Sequence, residues 1–200
     1  LTDMNSDGVP ELAVPMSISA INQYRIFSGV DVVASTVAAP LDASSYALSL
    51  TQSTTTDTNN TNGFGAAAVA SVDIVDSTAH DLVVSYPLVG YLQLYSGVTI
   101  GTTGPVQTLA GPASLGERVS GGRVNSDSRI DLLAGMGSTS GAAAWLLYQR
   151  ASGTAFEGSF GTAAAFHVTK FNSQELTGSA TSRLGRSNAL GDVDGDTLAD

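Results

Sequence analysis

The sequence predicts an all-β fold assembled from repeated units of short antiparallel strands. Three observations carry this reading: an acidic loop pattern that recurs, strand-length apolar runs that follow each copy, and a net charge confined to the loops. The pattern occupies 3–11, 73–81, 123–131 and 192–200, so successive copies begin 70, 50 and 69 residues apart. Self-similarity at such spacing marks a repeat architecture.

The elements recur in a fixed order. Behind the first three loops come Leu12-Ala13-Val14, Leu82-Val83-Val84 and Leu132-Leu133-Ala134, each a short apolar run. A second run follows, rich in aromatics and ending in Ser-Gly: Asn22–Gly29, Tyr91–Gly97 and Ala144–Gly153. Just upstream of the later loops stand the apolar-Gly pairs Phe64-Gly65, Leu115-Gly116 and Leu184-Gly185. The stretch 73–122 is the cleanest. It gives Leu82–Ser85, Tyr91–Tyr95, Val106–Leu109 and Leu115–Val124, four strand-length runs separated by Gly and Pro. Four short antiparallel strands per repeat is the signature of propeller blades. The composition of Ala142–Arg150 also suits a helix, but its alignment with two β-rich segments predicts a strand.

The chain therefore reads as one repeat domain, a propeller segment of about three four-stranded blades. Its approximate units are 1–63, 64–114 and 115–183, with 184–200 opening a further unit. Residues 30–63 break the pattern. They end in the polar tract Thr51–Gly63, which lacks the apolar surface to order itself and is expected to be a flexible insertion. That tract holds Asn59-Asn60-Thr61, an N-glycosylation acceptor sequence. Residues 152–183 show partial alternation over Phe160–Phe171, which predicts an extra or elongated strand pair.

Composition excludes several classes. The absence of cysteine removes disulfides, zinc-thiolate sites and a thiol nucleophile. No apolar run is long enough to span a membrane as a helix. The four loops hold twelve of the eighteen carboxylates and two of the eight Lys and Arg, so they carry the whole net charge of −10. With no basic patch, nucleic acid is not an expected partner.

The loops carry the recognisable chemistry. Asp3-Met4-Asn5-Ser6-Asp7-Gly8-Val9-Pro10-Glu11 places side-chain oxygens at positions one, three, five and nine. Asp192, Asp194, Asp196 and Asp200 repeat that spacing. A hard cation such as Ca²⁺ takes six to eight oxygens, and alternate carboxylates in a short loop supply them. An EF-hand would need its bidentate acid at position twelve and a flanking helix; here the acid is at nine and a strand follows. The other two copies depart from the pattern. Val75 occupies position three of 73–81, and Arg123 occupies position one of 123–131. In the latter a guanidinium is expected to replace the cation, with Arg123 bonded to Asp127 or Asp131.

The order of a Phe-Gly pair, a DxDxDG-type loop, an Asp-Leu-x-Val strand and an aromatic strand ending in Ser-Gly resembles the FG-GAP repeat. That repeat builds the β-propeller head of integrin α subunits and of many secreted bacterial proteins. Phe64-Gly65 matches the FG element, while Ser85-Tyr86-Pro87 stands where Gly-Ala-Pro would be. The resemblance covers nearly the whole chain. It implies Ca²⁺ held by Asp3, Asn5, Asp7 and Glu11 with the Val9 carbonyl, and by Asp192, Asp194, Asp196 and Asp200 with the Leu198 carbonyl. It also implies an extracellular scaffold or adhesion module, secreted or at the cell surface, that recognises a protein or glycan. Weak affinities of about 10⁻⁴–10⁻³ M suit such modules.

Enzyme constellations are thin. His80 lies in the second loop and reads as a solvated residue; His167 lies on a strand-like run. Gly137-Ser138-Thr139-Ser140-Gly141 has Thr139 where a nucleophile elbow needs its nucleophile. The rival readings are the body of a secreted polysaccharide-acting enzyme and a subunit of an extracellular filament. The repeat register at the two ends predicts continuation in a longer chain or self-association. Tyr24, Phe27, Tyr91, Tyr95, Trp145 and Tyr148 fall at equivalent places and are expected to pack between blades.

Overall fold

The structure, a computed structural model, describes residues 3–4, 7–18, 21–36, 39, 48–51, 69–72, 74, 80–87, 90–97, 105–112, 114–127, 129–136, 143–149, 156, 168–172 and 189–200. The described residues are mostly strand, as the sequence predicts. Strands β1 (Leu12–Ile18), β2 (Ile21–Phe27) and β3 (Leu48–Thr51) form one antiparallel sheet, with the short helix α1 (Gly29–Ala34) after β2. A second sheet runs β4 (Val69–Val72), β5 (Asp81–Tyr86), β6 (Tyr91–Tyr95) and β7 (Gln107–Ala110). The third runs β8 (Leu115–Gly122), β9 (Asp131–Met136), β10 (Ala143–Leu147) and β11 (Val168–Asn172). Each sheet is a meander, since every strand pairs antiparallel with its sequence neighbour.

Three details differ from the sequence expectation. The four runs of 73–122 do not share one sheet. Leu115–Gly122 pairs with β9, and the fourth strand of the second sheet is Val69–Val72. The stretch 30–63 supplies α1 and β3, whose pairing of Tyr24 with Leu50 adds a third strand to the first sheet. Thr51 ends β3, so only 52–63 of the expected insertion is left, and that part, with Asn59, lies outside the described residues. His167, Phe64-Gly65 and Gly137–Gly141 also lie outside them. Ala143–Leu147 is a strand, as its alignment predicts.

Two apolar cores join the sheets in series. Strand alternation sends successive side chains to opposite faces, and β5 uses both. Leu82, Val84 and Tyr86 join Met4, Ile26 and Tyr95 between the first and second sheets. Val83 joins Leu92, Leu94, Leu115, Leu132 and Leu147 between the second and third. This is why Leu82–Val84 is apolar without alternation: β5 is buried on both sides. Each fully buried Leu here contributes about 1.5–3 kcal/mol relative to exposure. Tyr91 stacks on its cross-strand partner Tyr86 at 4.6 Å between ring centroids within the second sheet, while Tyr95 lies in the core with Ile26 and Trp145 packs against the core between the second and third sheets.

The apolar-Gly pair at Leu115-Gly116 has a physical cause. Gly116 has φ +84° at an irregularity in the β8–β9 ladder, and a Cβ there would lie 2.6 Å from Ser85 Cβ and 2.8 Å from Leu92 Cδ2. Only glycine tolerates both the backbone conformation and the approach of the neighbouring sheet. Gln107 closes a second contact between the sheets. Its side-chain amide donates to the Phe156 carbonyl and accepts from Phe156 N–H at 2.9 Å, which seats Phe156 in the core. No described helix is long and apolar enough to cross a membrane.

Candidate metal centre

The second and third loops join the first two strands of their sheets, β4 to β5 and β8 to β9; the first loop leads into β1. All four loops share one closing bond. The position-nine carboxylate accepts the N–H of position two: Met4 to Glu11 at 2.5 Å, Ile74 to Asp81 at 2.6 Å, Val124 to Asp131 at 3.3 Å and Val193 to Asp200 at 3.1 Å. The sequence signals an acid at position nine, but not this role for it. An Asp or Glu is suited to it because a carboxylate bonds an N–H about twice as strongly as a neutral acceptor.

Within the first loop, Asp3 accepts from Asp7 N–H at 3.1 Å and Gly8 N–H at 2.7 Å, and Asp7 accepts from Val9 N–H at 2.9 Å. Such Asx turns fold the chain back on itself, so that one carboxylate oxygen each of Asp3, Asp7 and Glu11 lies within 4.8 Å of the others. The fourth loop repeats the design. Asp192 accepts from Gly195 N–H at 2.6 Å and Thr197 N–H at 2.9 Å, and oxygens of Asp192, Asp194 and Asp200 gather within 4.8 Å. Asp194 caps Asp196 N–H at 3.0 Å and Asp196 caps Leu198 N–H at 2.8 Å.

The structure thus brings together six of the expected ligands. Asp196 is not in the cluster of its loop; its Oδ1 is turned to Leu198 N–H. Asn5 lies outside the described residues. Val9 and Leu198 are fixed through their N–H groups, and the Val9 carbonyl packs beneath Gly29.

The two clusters differ in burial. Asp192, Asp194 and Asp200 are all exposed, whereas Glu11 is 5% exposed and its Oε1 is buried with no partner. An unpaired buried carboxylate oxygen is costly, and a divalent cation in contact with it and with Asp3 and Asp7 would remove that cost. The donor set, all oxygen, suits a hard cation such as calcium.

In the other two loops both oxygens of the position-nine acid have N–H partners. Asp81 is fully buried, and its Oδ1 accepts Gly97 N–H at 3.0 Å. Asp131 is fully buried, and its Oδ1 accepts Gln149 N–H at 2.9 Å. Burial pushes the Asp131 carboxyl above its ordinary value, against the opposing pull of the Gln149 and Val124 N–H bonds. Gln149, which nothing in the sequence singled out, also accepts Ile130 N–H at 3.1 Å and donates to the Ile74 carbonyl at 2.6 Å, tying the third loop to the second. The expected contact of Arg123 with Asp127 or Asp131 is not formed. Arg129 pairs with Asp127 at 3.3 Å instead, each Asp131 oxygen accepts a backbone N–H, and Arg123 Nε is buried without a partner.

Fold and loops together define an all-β protein of serial antiparallel meanders with two acidic oxygen clusters. No family model matches the sequence, and no curated protein matches it.

Proposed function

We infer that this chain is a segment of a β-propeller that binds calcium in its first and fourth loops and serves as an extracellular scaffold for recognition of a protein or glycan. The observation that carries the reading is Glu11, whose carboxylate gathers with those of Asp3 and Asp7 and keeps a buried, unpartnered Oε1. Serial meanders of three, four and four described strands, stacked through two cores, support a blade arrangement. Calcium would order the acidic loops and leave the strands as the rigid body on which recognition loops are displayed.

Equilibrium dialysis of the chain against calcium tests the metal assignment. Saturable binding in the range of extracellular modules, about 10⁻⁴–10⁻³ M, is expected. A melting temperature that rises with calcium and falls on chelation should accompany it, because a ligand bound only by the native state stabilises it. Absence of both effects at every calcium concentration would remove the calcium reading.

A further inference from the structure

We propose that the cation bound by Asp3, Asp7 and Glu11 is a latch that fastens the first sheet to the second. The proposal rests on the calcium reading and adds a coupling between that site and one particular interface.

The coupling runs through Met4. Glu11 Oε2 holds Met4 N–H at 2.5 Å, and the Met4 side chain, 1% exposed, fills the core between the sheets with Ile26, Leu82, Val84, Tyr86 and Tyr95. The Met4 carbonyl faces Gly97 on the second sheet so closely that a Cβ there would sit 3.0 Å from it. Whatever fixes the Glu11 carboxylate therefore fixes the residue that plugs the interface.

In the second and third sheets that carboxylate is fixed from within. Gly97, just after β6, and Gln149, just after β10, donate N–H groups to the second oxygen of Asp81 and Asp131. The first sheet supplies no such donor to Glu11 Oε1, which stays buried and unpartnered on a carboxylate that gathers with Asp3 and Asp7. A cation takes the place in the first sheet that an N–H takes in the other two. The fourth loop has no equivalent, because its cluster is exposed and its position-two residue, Val193, is 84% exposed.

Hydrogen–deuterium exchange of the whole chain, with and without calcium, reads the latch directly. At free calcium about 100 times Kd, amides of β1, β2, β5 and β6 that exchange by sheet separation should slow by up to ~100-fold. Amides of β9 and β10 should be unchanged. Glu11→Gln, which keeps an acceptor for Met4 N–H, should abolish the slowing; Asp194→Asn should retain it. Asp7→Asn, at an exposed position, gives a second test if Glu11→Gln does not fold, and should weaken the effect. Dialysis on the same samples separates the two ideas. Calcium bound through Asp3 and Glu11 without protection of the first two sheets overturns the latch and leaves the calcium reading. No bound calcium overturns both.

Discussion

Replacing Asp81 by alanine should be among the most damaging single changes in the described chain, although Asp81 is not among the expected metal ligands. Its carboxylate is fully buried and accepts two N–H groups, Ile74 at 2.6 Å and Gly97 at 3.0 Å. Alanine removes both acceptors and leaves two donors buried in a region closed to water. Hydrogen bonds to a charged group contribute about 1.5–3 kcal/mol each, and relief of the buried charge offsets part of the loss, so we expect a net cost of about 2–4 kcal/mol. The comparison variant is Asp200→Ala. Asp200 holds the equivalent N–H of Val193 at 3.1 Å but is exposed, so water replaces it and the cost should stay below about 1 kcal/mol. Urea denaturation of the two variants beside the parent reads both, because the midpoint shifts in proportion to stability at constant slope. If Asp81→Ala were as mild as Asp200→Ala, the buried carboxylate would not be what closes the loop.

Gly116→Ala should cost about 2–5 kcal/mol, combining roughly 1–2 for the left-handed backbone with about 1–3 for the collision with Ser85 and Leu92. Gly195→Ala shares the positive φ but meets nothing within 4 Å, so the difference in urea midpoint between the two isolates the collision; equal costs would contradict it. Asp131, raised above 3.8 by burial, binds more protons folded than unfolded in the interval just above that value. Its stabilising contribution is therefore full below 3.8 and lost as pH rises through the raised value. Measured from pH about 3.5 to about 6, Asp131→Asn should lack this fall, and a parent-minus-variant stability that increases with pH would refute the assignment.

The parts of the fold legible in the sequence were those set by local pattern. Runs such as Leu82–Val84 and Tyr91–Tyr95 announce strands through β-branched and aromatic residues between turn signals, and Gly116 announces a position where no side chain fits. What escaped was set by partners distant in sequence. Nothing near Asp81 reveals that Gly97 will reach its second oxygen, and nothing marks Gln149 as the residue that ties Ile130 to Ile74. The Arg123 expectation failed for the same reason. Charge alone paired it with the nearest acids, but Arg129, two residues from Asp127, reaches that carboxylate from within the same turn, and each Asp131 oxygen accepts a backbone N–H. The site was legible as a set of oxygens, not as a division of labour among them.

That division bears on how many cations the chain binds. An acid at position nine is common to all four loops, including the two that lack an oxygen elsewhere in the pattern, where Val75 and Arg123 stand. Its presence cannot therefore count as evidence for metal, because closing the loop through the position-two N–H is reason enough for it. The gathering of carboxylates decides the matter. Each oxygen of Asp81 and Asp131 accepts an N–H, and neither loop gathers three carboxylates among the described residues. Glu11 keeps one oxygen unpartnered and gathers with two acids, and Asp192, Asp194 and Asp200 gather in the open. One calcium ion is expected at each of the two loops that gather such clusters among the described residues. The site at 3–11 should release its ion more slowly, because dissociation there must expose a buried carboxylate. Dialysis with stopped-flow chelation reads both quantities. Calcium bound at 123–131 would mean that a gathering of three carboxylates is not what holds the cation, and a single release rate for both sites would mean that burial of Glu11 does not govern it.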